Sequence, residues 1–487
     1  MKNINRHLRL ALLGGLCFIN TPLVSGQAHT MSKEYHAPQD PAVRQKLQAW
    51  QELKFGLFMH WGTYAQWGVI ESWTLCPEDE PFINRGGVHG GDYFEYRNAY
   101  EKLQTTFNPV RFAPEKWAAA AKAAGMKYMV FTTKHHDGFC MFDTQETDYK
   151  ITDSNTPFSS HPRSNVTKEI FDVFRKDSFM IGAYFSKPDW HNENYWWRYF
   201  PPKDRNPNYD PARYPERWKN FTTFTYNQIR ELMTDYGKVD ILWLDGGQVR
   251  PVHVAGKTGR DGSQYYNQDI NMPKIATMAR QLQPGLIMVD RTVAGEYENY
   301  TTPEQEVPEK PLPYPWETCM TIGNSWSYNK DDQFKTSQVL IQTLIKVVSR
   351  GGNFLLNIAP GPEGDWLPLA YERLADISNW MKINSEGIYG TEPCAPYSQE
   401  NIYFTKSTKQ NLLYAFWLSE KEAVVLPPEI NISLEGIGKK IKQVSLMGTS
   451  TPLKYARKKD TLIISIPSSG KQQQQLKYSA VFKIVYE

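Results

Sequence analysis

The chain has 487 residues, of which 40% are hydrophobic and 22% are charged, a composition that is ordinary for a globular protein and sufficient for two domains. The first 26 residues hold three basic residues and no acidic ones, so the net charge of +3 falls to zero when they are removed. A neutral mature chain gives no electrostatic reason to expect nucleic acid or an anionic membrane surface as a partner.

Residues 1–26 have the pattern of a secretory signal peptide. Basic residues precede an apolar stretch at 8–24, and small residues follow it. Polar residues and a proline at 20–22 interrupt the stretch and leave it too short to span a bilayer. We therefore predict a secreted or periplasmic protein with no membrane span, with a lipid anchor at Cys17 as the alternative.

Helical segments alternate with short apolar runs from about residue 45 to residue 395, and we predict that residues 33–395 form the first domain. Repeated helix-then-strand units indicate parallel strands joined by helical crossovers, so we predict an α/β fold, a (β/α)8-like barrel, with a doubly wound open sheet as the alternative. The predicted elements are, in chain order, strand 55–60, helix 114–124, strand 127–132, helix 168–175, strand 180–185, helix 215–236, strand 239–245, helix 272–282, strand 286–289, helix 336–349 and strand 353–358.

The pattern changes after residue 395. Short alternating runs separated by turn residues predict a C-terminal antiparallel β-sandwich at 396–487, which either binds glycan or braces the barrel. Its predicted strands are 402–404, 412–418, 423–426, 442–446, 462–466 and 480–486. Aromatic residues make up 14% of the chain, which fits stacking on sugar rings and fits a large core equally well.

The strand at 239–245 ends in a carboxylate that two glycines follow directly. Because side chains alternate along a strand, Ile241, Trp243 and Asp245 share one side. In parallel α/β folds, catalytic groups collect at the carboxyl ends of strands. Asp245 is therefore a candidate catalytic acid, although an aspartate in this position can instead cap the next helix.

Other predicted strands also end in polar or aromatic side chains. His60 ends the first strand, His135 and His136 follow the second, Asp189 follows the third, and Arg291 follows the strand at 286–289. Glycoside hydrolysis requires two carboxylates beside the scissile bond, with hydrogen-bonding groups and aromatic rings that hold the sugar. The segment 291–317 contains the candidates for the second carboxylate, because it holds six glutamates.

Six segments together carry a specific family pattern. They are FGLFMHWG at 55–62, TKHHDGF at 133–139, LWLDG at 242–246, TPEQ at 302–305, WETCMT at 316–321 and NFLLNI at 353–358. In this order they resemble glycoside hydrolase family 29, the α-L-fucosidases, over about residues 45–395. The resemblance implies a barrel followed by a β-sandwich, a retaining mechanism without metal or cofactor, and a fucosylated oligosaccharide or glycoconjugate as substrate.

The resemblance also implies residue roles. Asp245 matches the nucleophile, and Glu304 best matches the general acid/base, with Glu317 and then Glu306 as alternatives. Trp326 is a candidate wall beside the methyl group of the sugar. The remaining matches are substrate-binding residues: His60, Trp73, His135, His136, Tyr184, Trp243 and Arg291.

The chain departs from the family at 71–74, where Glu-Ser-Trp-Thr stands in place of Glu-Trp-Tyr, so a sugar contact by Glu71 is left open. We expect adjacent His135 and His136 to point to opposite sides of a strand, which argues against a metal site. A metal-dependent barrel hydrolase and an inactive secreted sugar-binding protein are the alternative functions. The mature chain has four cysteines without metal-ligand spacing, and one or two disulfides among them are an open alternative: Cys76, Cys140, Cys319 and Cys394.

Overall fold

The computed structural model describes residues 35–77, 85, 91–251, 266–291, 295–434, 440–449, 451–467 and 476–487. The signal peptide predicted at 1–26 lies outside these residues. Within them, every helix is too short or too polar to cross a membrane.

Seven parallel strands form the first sheet, in the order β5-β4-β3-β2-β1-β7-β6. The gap between β5 and β6 is spanned by isolated parallel bridges from Val289 to Tyr300 and from Thr301 to Trp316. The sheet therefore closes on itself. This confirms the predicted (β/α)8-like barrel and excludes the alternative, a doubly wound open sheet. The strands are β1 Phe55–Met59, β2 Tyr128–Lys134, β3 Met180–Ser186, β4 Ile241–Asp245, β5 Ile287–Met288, β6 Glu317–Thr321 and β7 Asn353–Asn357.

The helices begin and end at residues whose chemistry favours those positions. Prolines stand in the first turn of several helices, and glycines with positive φ follow α3 and α5, Gly125 at +91° and Gly237 at +70°. The helices are α1 Pro41–Gln51, α2 Tyr93–Glu101, α3 Pro114–Ala123, α4 Val166–Lys176, α5 Pro215–Thr234, α6 Met272–Leu282, α7 Ser337–Ser349 and α8 Pro368–Asn384. We did not predict α1, α2 and α8 from the sequence.

Alternating side chains divide the barrel into two hydrophobic layers. Phe58, Tyr184 and Trp243 pack inside the barrel, whereas neighbours such as Leu57 and Leu242 pack outward into the helical layer. Helix α1 adds side chains to the inner layer from the amino-terminal end of the strands. That end of the barrel is therefore filled, which leaves the carboxyl end for polar groups.

The C-terminal region consists of a five-stranded and a three-stranded antiparallel sheet that share one hydrophobic cluster, so the predicted β-sandwich is confirmed. The predicted strand at 423–426 is wrong, because the preceding strand continues to Ala423 and residues 424–426 lie outside any strand. The strands are β8 Thr391–Gln399, β9 Ile402–Ser407, β10 Leu412–Ala423, β11 Glu429–Ser433, β12 Ile441–Leu446, β13 Lys454–Lys458, β14 Thr461–Ser465 and β15 Lys477–Tyr486.

The sandwich packs against the barrel through its five-stranded sheet. Side chains of β10, among them Tyr414 and Phe416, join the core cluster of the barrel. The indole N–H of Trp380 in α8 donates to Ser479 Oγ of β15 at 2.9 Å. The four cysteines among the described residues are buried and keep their thiol groups, so none of the disulfides that the sequence left open forms between them.

Candidate active site

The predicted site residues meet at the carboxyl end of the barrel. Asp245 is the last residue of β4, His60 follows β1, and His135 and His136 follow β2. Arg291 follows β5 within the same group of loops. The strand-end pattern in the sequence therefore corresponds to a single cluster in space.

The carboxylate of Asp245 is held from both sides. Its Oδ1 accepts from Arg291 Nη1 at 2.8 Å, and its Oδ2 accepts from the Tyr184 hydroxyl at 2.7 Å. His136 Nε2 lies 3.8 Å from the same Oδ2. Burial alone would raise the pKa of Asp245, but Arg291, His136 and Tyr184 together hold that pKa well below its usual range. Asp245 is therefore ionised at neutral pH.

One guanidinium joins the two candidate catalytic carboxylates. Arg291 donates from Nη1 to Asp245 and from Nη2 to Glu304 Oε2 at 2.9 Å. The Arg291 side chain is only 5% exposed and lies 4.6 Å from the centre of the Trp243 ring, a cation–π contact. Glu304 is fixed by backbone pairing with Cys319 of β6. The side chains of Asp245 and Glu304 are 13% and 17% exposed, so a ligand can reach both.

The other two candidate acids occupy different environments. Glu317 is fully buried inside the barrel, where its carboxyl oxygens accept from Tyr128 Oη at 2.6 Å and from Trp243 Nε1 at 3.2 Å. Burial raises the pKa of Glu317 to about 7. Glu306 is exposed. Of the three, only Glu304 shares a guanidinium with Asp245.

Each of the three histidines uses its Nδ1 for an internal hydrogen bond. His135 Nδ1 lies 2.6 Å from Ser72 Oγ, and His136 Nδ1 lies 2.7 Å from Ser186 Oγ. His60 Nδ1 lies 2.8 Å from Asn357 Oδ1. Burial lowers the pKa of His60 and of His136 to about 4, and it lowers the pKa of His135 well below its usual range. The three rings are therefore neutral at pH 7. The hydrogen bonds to Ser72, Ser186 and Asn357 use only Nδ1 and do not involve Nε2.

The expectation that His135 and His136 diverge is wrong. Strand β2 ends at Lys134, so the two residues lie in the following turn, and their ring centres are 4.2 Å apart. Three potential ligand atoms, one each from His135, His136 and Asp245, lie within 4.8 Å of one another, which is close enough to bind one metal ion. However, both Asp245 oxygens already accept from Arg291 and Tyr184, and the adjacent guanidinium charge opposes a second cation.

Aromatic rings surround the polar cluster. Tyr184 stacks on His135, with ring centres 5.7 Å apart, and Trp73 forms a T-shaped pair with His136, with ring centres 5.2 Å apart. Trp326 lies 5.1 Å from His60. Trp243 is 1% exposed, so it lies beneath Arg291 as part of the floor and not on an open wall.

Glu71 is buried beside the cluster in an unusual state. It is 1% exposed, its φ is +25°, and its Oε1 has no hydrogen-bond partner. Burial raises the pKa of Glu71 to about 8, and the charges of Glu304 and Asp245 act in the same direction. Glu71 is therefore a neutral acid at pH 7, which the sequence did not reveal.

Two residues that orient the histidines were given no role in the sequence analysis: Ser72 and Asn357. Asn357 lies within the family segment at 353–358, so its position was an available signal. Ser72 carried no signal, because a serine beside a turn is common on any surface.

The site combines two carboxylates that share one guanidinium with neutral imidazoles and aromatic rings at the mouth of a barrel. This is the set of groups that glycoside hydrolysis requires. The family model described as Alpha-L-fucosidase matches residues 23–386, and the model described as Alpha-L-fucosidase C-terminal domain matches residues 396–485. The chain therefore belongs to the α-L-fucosidase family of glycoside hydrolases.

Individual relatives agree with this assignment. Tissue alpha-L-fucosidase of Homo sapiens is 27% identical over 440 residues, which cover 86% of this chain and 85% of that protein. Alpha-L-fucosidase isoenzyme 1 from Paenibacillus thiaminolyticus is similar in structure, with a TM-score of 0.73, 28% identity, and coverage of 92% of this chain and 100% of that chain. A GH29 alpha-L-fucosidase from Bacteroides thetaiotaomicron, solved as a trapped covalent intermediate, shares the fold at 23% identity, with a TM-score of 0.70 and coverage of 94% and 98%.

Proposed function

We propose that the protein is an exo-acting, retaining α-L-fucosidase that releases terminal α-linked L-fucose from oligosaccharides or glycoconjugates. In this proposal Asp245 is the nucleophile and Glu304 is the general acid/base. The supporting observation is that both carboxylates bond to the two terminal nitrogens of one guanidinium. This favours the close spacing of a retaining pair, about 5–5.5 Å, over the wider spacing of an inverting pair.

The first half of the proposed reaction forms an ester. The Asp245 carboxylate attacks the anomeric carbon, the glycosidic C–O bond breaks, and the leaving oxygen takes a proton from Glu304. Glu304 must therefore hold a proton and release Arg291 Nη2 before this step. Arg291 and Tyr184 keep Asp245 ionised without protonating it, which suits a nucleophile.

The second half restores the enzyme. The Glu304 carboxylate takes a proton from water, the water oxygen attacks the anomeric carbon, and Asp245 departs as a carboxylate. Two inversions at one carbon give overall retention. Since both steps need only these two carboxyl groups, the proposal includes no metal ion or cofactor.

The histidines are proposed to bind the hydroxyl groups of the fucose. Asn357 Nδ2 donates to the Trp326 carbonyl at 2.7 Å, so Asn357 Oδ1 accepts from His60 Nδ1. The Nε2 atom of His60 is then an acceptor for a sugar hydroxyl. Trp73 and Trp326 are proposed to contact the apolar parts of the sugar.

Azide tests both catalytic roles through the stereochemistry of its product. In Asp245→Ala, azide fills the space of the lost carboxylate and should attack the substrate directly, giving inverted β-fucosyl azide from 4-nitrophenyl α-L-fucoside. In Glu304→Ala, azide should attack the intermediate on Asp245 and give retained α-fucosyl azide. The matched control is Glu317→Ala, which should give neither product. If Glu317→Ala gives the retained azide and Glu304→Ala does not, the acid/base assignment is wrong.

We also propose that the protein is exported. The basic, apolar and small-residue regions of 1–26 support cleavage near Gly26, as for a secretory signal peptide. Fractionation of cells expressing the full chain, followed by N-terminal sequencing, should find a processed protein outside the cytoplasm that begins near Gln27. A mature chain that begins at Cys17 with attached lipid would instead support the anchored alternative.

A further inference from the structure

Lys187 is a fully buried lysine directly after β3, next to the candidate active site. Its Nζ donates to the backbone carbonyl of Val249 at 3.1 Å and to the backbone carbonyl of Arg291. Its own backbone N–H donates to the carbonyl of Asp245 at 3.1 Å. Lys187 thus joins the segments that follow β3, β4 and β5.

Burial of an amino group in this way is costly, so it calls for an explanation. Burial lowers the pKa of Lys187 to about 7, and Arg250 acts in the same direction, while Asp245 and Glu298 oppose it. The amino group donates hydrogen bonds whether or not it carries the extra proton. The two carbonyl contacts therefore persist on both sides of neutral pH.

The Arg291 carbonyl lies on the same residue whose guanidinium bonds Asp245 and Glu304. The segment that carries Arg291 follows a strand of only two residues, Ile287–Met288, and one isolated bridge at Val289, so the sheet itself gives Arg291 little support. A backbone shift at Arg291 would move both guanidinium contacts at once.

We propose that Lys187 is a positioning residue that fixes the backbone of Arg291 so that its guanidinium holds Asp245 and Glu304 in their reactive arrangement. This rests on the proposed roles of those two carboxylates. Lys187 acts through Arg291 and does not touch the sugar. Its effect on the reaction should therefore depend on the presence of an arginine at 291.

A double-mutant cycle measures that dependence. Arg291→Lys in the wild-type background removes one arm of the two-carboxylate contact and should lower kcat/KM by about 10- to 100-fold, the equivalent of one charged hydrogen bond. Lys187→Met should lower kcat/KM by about 100-fold, the loss expected from a misplacement of about 1 Å. In the Lys187→Met background, Arg291→Lys should cost less than about threefold, because the arginine is already misplaced.

Lys134 provides a matched control. It is also a fully buried lysine, but its Nζ donates to Asp189 Oδ2 and Gln228 Oε1, each at 3.0 Å. The losses from Lys134→Met and Arg291→Lys should multiply. If Lys187→Met does not fold, the same cycle is run with Lys187→Gln, whose amide still donates to one carbonyl.

Two outcomes overturn different parts of the account. If the losses of kcat/KM from Lys187→Met and Arg291→Lys multiply, as they should for Lys134→Met, the positioning role is wrong. The proposed function would still hold in that case, because the wild-type enzyme is active. A wild-type protein that releases no 4-nitrophenol from the aryl fucoside would instead contradict the proposed function.

Discussion

The Tyr184 hydroxyl gives the cleanest perturbation of the proposed nucleophile. Tyr184→Phe removes one hydroxyl that donates to Asp245 Oδ2 at 2.7 Å and leaves the ring in place. The ring also stacks on Trp243, with ring centres 5.4 Å apart and planes at 22°, so the packing should survive the substitution. Any change in activity should therefore come from the lost hydrogen bond.

The expected magnitude follows from the charge on Asp245. A hydrogen bond to an ionised group contributes about 1.5–3 kcal/mol. At 1.36 kcal/mol per pKa unit, its loss should raise the pKa of Asp245 by about 1–2 units. The Arg291 guanidinium continues to favour the carboxylate, so Asp245 should still be ionised at neutral pH.

The assay is the pH dependence of kcat/KM with 4-nitrophenyl α-L-fucoside, whose acid limb reports the essential base of the free enzyme. The acid limb of Tyr184→Phe should lie about 1–2 pH units above that of the wild type. Activity near neutral pH should change much less. An acid limb that stays at the wild-type position, with a uniform loss at every pH, would refute the view that Tyr184 acts through the ionisation of Asp245.

The remaining predictions concern Glu71, the metal alternative and Glu317. Glu71 should keep its proton up to pH about 8 in the folded state, whereas its ordinary pKa is 4.5. The free energy of unfolding should therefore decrease as pH rises from 4.5 to about 8, because the unfolded state loses this proton first. The Tm of Glu71→Gln should fall less than that of the wild type over the same window; an equal fall would contradict the raised pKa. Dialysis against EDTA should leave aryl-fucoside hydrolysis unchanged, and a loss that Zn²⁺ restores would favour a metal at His135, His136 and Asp245. Glu317→Gln should retain most of kcat, because its carboxyl group is sealed inside the barrel; a loss as large as that of Glu304→Gln would contradict this placement.

Most barrel strands were predictable because their signals are local. Strand β4 is an apolar run closed by glycines, and the alternation of Trp243 and Asp245 onto one side persists in the structure. Strand β6 was missed because it begins with an acid that lies among glutamates typical of a surface loop. Only the barrel interior, where Tyr128 and Trp243 donate to Glu317, makes that position tolerable for a carboxyl group.

Composition alone could not choose the second carboxylate, and the family resemblance favoured Glu304 while leaving Glu317 and Glu306 as alternatives. Glu304, Glu306 and Glu317 lie within one segment, and their environments depend on backbone pairing of Glu304 with Cys319. The divergence expected for His135 and His136 failed for a related reason. Period-two alternation holds only inside a strand, and β2 ends one residue before His135.

The most direct test of the account is the identity of the residue that carries the sugar during turnover. The Bacteroides thetaiotaomicron relative was trapped with 2-fluoro-fucosyl fluoride by using a Glu-to-Gln mutant. Incubation of Glu304→Gln of this protein with the same reagent, followed by proteolysis and mass spectrometry, should find the fluorofucosyl group on the peptide that contains Asp245. A label on another carboxylate, or no covalent label on a folded and fucose-binding protein, would contradict the double-displacement mechanism proposed here.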